Sequence, residues 1–185
     1  MRSISDTNIL KDFCEKFCNI VEKHCKYIIV SGYLVIASGR SRGTEDIDMI
    51  LEKVSKAKFF QLHKELRANN FICIQEEDPN EIYEILLDNT SVRYIYNEQM
   101  LPEMELKFAK DILDQFQIDS RTKISETNVN VYFGDLNLAI AFKEEYLKSD
   151  KDLADAKHLR LFFKEKINED KIKGFKKLIQ EKRLK

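Results

Sequence analysis

The chain has 185 residues, of which 43% are hydrophobic and 34% are charged, and it contains only five glycines and two prolines. This composition excludes a fibrous or disordered chain and predicts one compact, helix-rich domain with a small helical appendage. No apolar run approaches the roughly 20 residues that cross a bilayer. The N-terminal segment carries acids and lacks a signal-peptide core, so we expect no membrane contact and a cytoplasmic location.

The net charge of −1 hides an uneven distribution along the chain. Residues 1–150 carry a net charge of −7, whereas the residues from Lys151 onward carry +6. An acidic body with a basic tail favours a partner protein or a nucleic acid at the C-terminal helices. A solvated helix face would give the same count, so both interpretations stay open.

Apolar periodicity predicts the elements in chain order. The first part is predicted as a helix at 6–26, a buried strand at 27–31, a short helix at 33–37, a polar loop at 38–45, a strand at 46–52 and a helix at 55–69. The middle is predicted as strands at 71–75, 91–96, 104–108 and 129–133, with 81–88 open between helix and strand and 111–126 mixed. Helices follow at 135–148, 150–167 and 169–183. This order predicts an α/β (α+β) fold, with a core at 1–134 and a C-terminal helical segment at 135–185 packed on it.

Three of the four cysteines fall on one face of the first predicted helix. Cys14 and Cys18 could bind zinc together with His24, but the paired CxxC spacing of structural zinc sites is missing. Free cysteine is among the residue types that are most often buried. We therefore interpret these residues as buried thiols.

The triplet Asp46-Ile47-Asp48 is the strongest candidate for chemistry. Residues two apart on a strand share a face, so both carboxylates project together while Ile47 points to the core. Two like charges this close repel each other, and a divalent cation such as Mg²⁺ or Mn²⁺ offsets the repulsion. Acid-x-acid triplets also occur elsewhere in this charged chain, so the triplet alone is a weak signal.

The segment before the acid pair favours phosphate binding. Ser31 and Gly32 lie at a strand-to-helix turn, where backbone N–H groups can approach a phosphate. The following loop supplies Arg40 and Arg42, whose guanidinium groups suit phosphate oxygens. Phosphate anchors beside a pair of metal-binding acids are what phosphoryl transfer requires.

Residues 30–33 and 39–48 together resemble the signature of the DNA polymerase β-like nucleotidyltransferase superfamily. Within it they look closest to the small prokaryotic branch that includes abortive-infection nucleotidyltransferase toxins. Ser31 stands where these relatives usually carry the first of two small turn residues, a glycine. The resemblance implies a nucleotidyltransferase-like mixed sheet flanked by helices.

The resemblance also implies further site residues. The third family carboxylate matches Glu105 in Met104-Glu105-Leu106, whereas Glu103 follows Pro102 and is expected at the ragged start of that strand. The family's closing helical motif matches Lys143, as a phosphate contact, and Asp152, as a nucleotide-orienting or bracing residue. Simpler explanations stay open: Asp152 could only cap a helix, and Lys143 could pair at the surface near Glu144 and Glu145.

The implied activity is transfer of a nucleoside monophosphate from a nucleoside triphosphate to a hydroxyl. Asp46, Asp48 and Glu105 would hold Mg²⁺ or Mn²⁺, and the acceptor could be a small molecule, a tRNA or a protein. A non-catalytic nucleotide- or RNA-binding module is one alternative. One half of a toxin–antitoxin pair, which would dock through the basic tail, is another.

Overall fold

The structure, a computed structural model, describes residues 4–41, 43 and 46–184. The helices are α1 Ile4–Val21, α2 Tyr33–Ala37, α3 Lys56–Ala68, α4 Pro79–Leu87, α5 Ile112–Asp119, α6 Leu136–Phe142, α7 Asp150–Phe162 and α8 Glu169–Arg183. The strands are β1 Tyr27–Val30, β2 Asp46–Leu51, β3 Phe71–Cys73, β4 Val92–Tyr96, β5 Gln99–Phe108, β6 Thr122–Lys123 and β7 Tyr132–Phe133. A π-helical turn at Lys143–Leu147 extends α6, and 3₁₀ turns lie at Ser125–Thr127 and Lys164–Lys166.

A seven-stranded mixed sheet forms the centre, in the order β3-β4-β5-β2-β1-β7-β6. Strand β2 lies in the middle, antiparallel to β1 and parallel to β5. Strand β4 runs antiparallel to β5 on the other side. The fold predicted from the sequence, an α/β protein with a mixed sheet and flanking helices, is therefore confirmed.

The two faces of β2 differ in their covering. Ile47, Met49 and Leu51 are fully buried on one face, where α1 and α3 supply aromatic and aliphatic partners. On the other face Ile50 packs with Ile28 and with Ile118 of α5. Because side chains alternate along a strand, Asp46 and Asp48 share the second face with Ile50.

Side-chain caps fix the starts of the helices that cover this second face. Asp111 accepts hydrogen bonds from the backbone N–H groups of Leu113 and Asp114 at the start of α5. Asp135 does the same for α6, and Ser149 accepts from the Asp152 N–H at the start of α7. Each cap gives partners to backbone N–H groups that have none within the helix.

Several predicted boundaries change. Residues 81–88, left open between helix and strand, belong to α4, and the mixed segment 111–126 contains α5 and the short strand β6. The helix predicted at 150–167 ends at Phe162. The strand predicted at 104–108 begins at Gln99, so the expectation that Glu103 lies at a ragged strand start is wrong. No helix in the described part of the chain is long and apolar enough to cross a membrane.

The cysteine interpretation is confirmed, since all four thiols are free and buried. The Sγ atoms of Cys14 and Cys18 lie 3.9 Å apart in the core, and burial raises the pKa of the Cys14 thiol. His24, the third ligand of the zinc alternative, is instead bound through Nε2 to Glu65 Oε2 at 2.6 Å.

Candidate active site

Two neighbouring strands place four carboxylates in two rows on one face of the sheet. In the parallel pairing of β2 with β5, Asp46 lies opposite Glu103 and Asp48 lies opposite Glu105. Neighbouring strands are about 4.8 Å apart, so each aspartate has a glutamate as its direct cross-strand neighbour. Glu105, predicted as the third carboxylate, is therefore level with Asp48, and Glu103 is a second acid of the same cluster.

Burial and repulsion both act on these acids. The pKa of Asp48 is raised, first by burial and then by the charge of Glu105. A hydrogen bond from the Ser31 side chain and the positive charge of Lys107 lower it in part. Burial, and then the charge of Asp46, likewise raise the pKa of Glu103. The face therefore concentrates negative charge that a bound cation would stabilise.

Arg93 is the cation that neutralises the two glutamates. It lies on β4 directly opposite Glu105. Its Nη2 atom donates to Glu105 Oε2 at 3.2 Å, and its Nε atom lies 3.0 Å from Glu103 Oε1. The sequence analysis did not single out Arg93, although its place on the polar face of the predicted strand 91–96 is a usable signal.

The carboxylates of this face are oxygen ligands of the kind that a divalent metal such as Mg²⁺ takes. No group of three or more His, Cys, Asp or Glu side chains within residues 4–41, 43 and 46–184 is arranged to hold a metal ion. Magnesium takes only one or two carboxylates and fills its other positions with water and substrate phosphate, so Asp46 and Asp48 suffice in number and kind. Arg93 contacts Oε2 of Glu105, so the Oε1 atom of Glu105 could join them.

The turn after β1 brings Ser31 to this acid face. Ser31 has a φ of 63°, the left-handed conformation that glycine adopts freely and that costs other residues about 1–2 kcal/mol. Its hydrogen bond to Asp48 is one that a glycine could not make. Gly32 follows as the N-cap of α2 with an ordinary φ of −78°.

A cavity of about 230 Å³ opens beside Asp48. The ends of β1, β2 and β5 form one wall, and α5, α6 with its π-helical turn, and α8 form the other. Three residues predicted for the site line it: Ser31, Asp48 and Lys143. Lys107 and Gln117 also line it, and the sequence analysis assigned neither of them to the site.

Lys143 is held by carboxylates of α7. Its Nζ atom lies 3.0 Å from Asp155 Oδ2 and 3.4 Å from Asp152 Oδ1. The Lys143 side chain is only 4% exposed and that of Asp155 is 0% exposed, so the alternative of a surface pair for Lys143 is wrong. Glu144, which that alternative invoked, binds Arg160 instead.

Arg40 joins this cluster from the loop after α2, because its Nη1 atom donates to Asp155 Oδ1. Asp155 thus connects the loop that precedes the acid pair to the lysine of the cavity. Gly32, Arg40, Asp152, Asp46 and Glu105 do not line the cavity itself, although Asp46 and Glu105 belong to the adjoining acid face. Arg42 lies outside the described residues.

Comparisons with known proteins bear on the fold. No family model and no curated protein matches the chain. Among solved structures it is similar to an antigenic nucleotidyltransferase-like protein from Paracoccidioides brasiliensis, with a TM-score of 0.58 at 16% identity, covering 98% of this chain and 90% of that one. It is also similar to ANT(2")-Ia in complex with adenylyl-2"-tobramycin, with a TM-score of 0.54 at 13% identity, covering 97% and 98%. The protein therefore has the fold of nucleotidyltransferase-like proteins.

Proposed function

We propose that the protein is a metal-dependent nucleotidyltransferase that moves a nucleoside monophosphate from a nucleoside triphosphate to a hydroxyl acceptor. The observation that carries the proposal is the position of Asp48. It lies in an acid cluster on one face of the sheet and also borders a cavity that Lys143 lines. The shared fold with nucleotidyltransferase-like proteins supports the same activity.

In this proposal the acidic residues bind the metal ion and the basic residues bind the phosphates. Asp46 and Asp48, joined by Glu105, would hold Mg²⁺ or Mn²⁺, which neutralises charge on the phosphates and on the attacking oxygen. Lys143, which lines the cavity, would supply positive charge to a phosphate, and Asp155 and Asp152 hold its ammonium group. Ser31 orients the Asp48 carboxylate. Gly32, Arg40 and Arg42 belong to the segments around the turn and would add N–H groups and charge near the phosphates.

In this reaction the acceptor oxygen attacks the α-phosphorus and the bond to the bridging oxygen of the β-phosphate breaks, so pyrophosphate leaves. The proton of the acceptor hydroxyl passes to the carboxylate of Glu105, which lies opposite Asp48 on the neighbouring strand. For the acceptor we propose a small polyhydroxy compound. This choice draws on the adenylyl-2"-tobramycin bound by ANT(2")-Ia, while a tRNA end and a protein side chain are the other acceptors to be tested.

A second candidate is a nucleotide-binding module without catalysis. The observation in its favour is Arg93, which occupies the two glutamates that a second metal ion would need. In this case a triphosphate binds but is not consumed. The toxin–antitoxin hypothesis adds only a partner for the basic C-terminal helices, and a complex formed with the product of a neighbouring gene would support it.

The test is thermal unfolding with each of the four nucleoside triphosphates, with and without Mg²⁺ or Mn²⁺. A ligand at a hundredfold excess over its dissociation constant stabilises by about 2.7 kcal/mol. We expect at least one triphosphate to stabilise the wild type only when metal is present, and Asp48→Asn to abolish that effect while Asp150→Asn, an exposed control, keeps it. Unmoved curves with all four triphosphates and both metals would refute the proposal. Release of pyrophosphate then separates the enzyme from the binding module.

A further inference from the structure

The cavity wall opposite the sheet contains Gln117, a buried residue whose side-chain amide has no role in the proposed reaction. Gln117 lies on α5, is only 5% exposed, and lines the cavity that Ser31, Asp48 and Lys143 line from other sides. Within the part of the chain that the structure describes, its amide makes no hydrogen bond to the protein, and neither of its polar atoms is sealed off from open space. The carbonyl oxygen and the NH₂ group can therefore pair with a ligand that enters the cavity.

The neighbouring polar group on the same helix face is already occupied. Asp114, one turn before Gln117, accepts from Arg183 Nη2 at 2.7 Å and from the Lys110 N–H at 3.1 Å. These bonds also hold the end of α8 against α5. Asp114 is therefore part of the frame of the cavity, whereas the carbonyl oxygen and the NH₂ group of Gln117 stay available for a ligand.

The backbone at Gly134 leaves room for the Gln117 side chain. A Cβ atom at Gly134 would lie 2.9 Å from Gln117 Oε1 and 3.3 Å from Gln117 Cβ. Both residues line the cavity, so the amide rests against bare backbone there. Any side chain at position 134 would push the amide out of its present place.

Part of the cavity lining is apolar and suits an aromatic ring. Leu34, Phe142 and Tyr146 line it together with the charged residues Lys107, Asp114 and Arg183, and the guanidinium group of Arg183 lies 5.2 Å from the Phe142 ring centroid. A volume of about 230 Å³ is below the roughly 300–1,000 Å³ of sites that enclose a whole drug-sized ligand. The cavity can therefore enclose one part of a nucleotide while the rest extends toward the acid face.

We propose that the cavity binds the nucleobase of the triphosphate and that Gln117 selects adenine. This inference rests on the proposed function, which puts the phosphates near Ser31, Asp48 and Lys143. A glutamine amide pairs bidentately with N6 and N7 of adenine, donating to N7 and accepting from the N6 amino group. Loss of such a pair from a buried site leaves both partners unsatisfied, so the base preference depends on this one side chain.

The test is the dissociation constant of each of the four nucleoside triphosphates with Mn²⁺, measured by titration calorimetry. We expect the wild type to bind ATP about tenfold or more tightly than the other three, as one bidentate pair allows. Gln117→Met should bring the four constants to within about threefold of one another. Gly134→Ala, which keeps the amide but displaces it, should reduce the preference as well. Gln115→Met, on the exposed side of the same helix, should keep the wild-type ratios.

The outcomes separate the two proposals. Wild-type ratios in both Gln117→Met and Gly134→Ala, or equal binding of all four triphosphates by the wild type, would overturn the base assignment while the nucleotide site stands. Absence of binding by all four triphosphates to the wild type would overturn the proposed function and this inference together. Melting curves of the variants show that each is folded, and Gly134→Ala supplies a second variant if Gln117→Met does not fold.

Discussion

Asp155→Asn tests the buried cluster that holds the cavity lysine. The substitution keeps the size of the side chain and removes the charge that faces Lys143 and Arg40. The Lys143 and Asp155 side chains are 4% and 0% exposed, so the lysine would keep its charge inside the protein, and among residues 4–41, 43 and 46–184 only Asp152, at 3.4 Å, would remain as an anionic partner. Breaking a buried pair costs about 3–5 kcal/mol. Because Asn still accepts hydrogen bonds and Asp152 remains, we expect the low end, about 3 kcal/mol.

The assay is urea unfolding of the wild type and the variant at pH 7, followed by far-UV circular dichroism. The free energy of unfolding falls by about 1–3 kcal/mol per molar urea, so about 3 kcal/mol corresponds to a urea midpoint lower by about 1–3 M. Asp150→Asn is the matched control on the same helix, and removing an exposed first-turn acid should cost only about 0.3–1 kcal/mol. If Asp155→Asn loses no more unfolding free energy than the control, the claim that Asp155 stabilises the buried cluster is refuted.

Three further predictions concern the acid face. Since the pKa of Asp48 is raised, the contribution of Asp48 to stability should fall as pH rises from about 4 through that pKa, so the stability of Asp48→Asn relative to wild type, from urea unfolding, should increase from pH 4 to pH 7. Glu105→Gln should reduce pyrophosphate release far more than Glu103→Gln, because Glu105 faces Asp48; equal losses would contradict the assignment. Ser31→Gly should have a free energy of unfolding about 1 kcal/mol higher than that of Ser31→Ala, because only glycine adopts the left-handed φ without strain. Equal urea midpoints of the two variants would contradict this.

Local sequence patterns predicted those features of the fold that depend on residues close to one another in the sequence. Alternation in Asp46-Ile47-Asp48 predicted that both acids share a face while Ile47 is buried, and Ile47 is fully buried. The predicted helix start at residue 150 matches the start of α7, where Ser149 caps the first turn, because capping needs only residues within one helical turn. The left-handed φ of Ser31 explains why a glycine suits that position in the resembling proteins.

The parts that the sequence could not predict depend on long-range contacts. Arg40 binds Asp155 across 115 positions of sequence, and nothing near either residue marks the pairing. Arg93 meets Glu105 only because β4 and β5 pair in one particular register. Gln117 belongs to the segment 111–126, whose mixed pattern gave no helix and hence no face, so its place in the cavity wall could not be foreseen.

The most direct test of the central claim is the anomalous scattering of Mn²⁺ in crystals grown with a non-hydrolysable analogue of the preferred triphosphate. We expect a manganese peak in contact with the carboxylates of Asp46 and Asp48, next to the triphosphate, with Lys143 close to the phosphates. A peak that contacts neither aspartate, or a triphosphate bound elsewhere without metal, would contradict it.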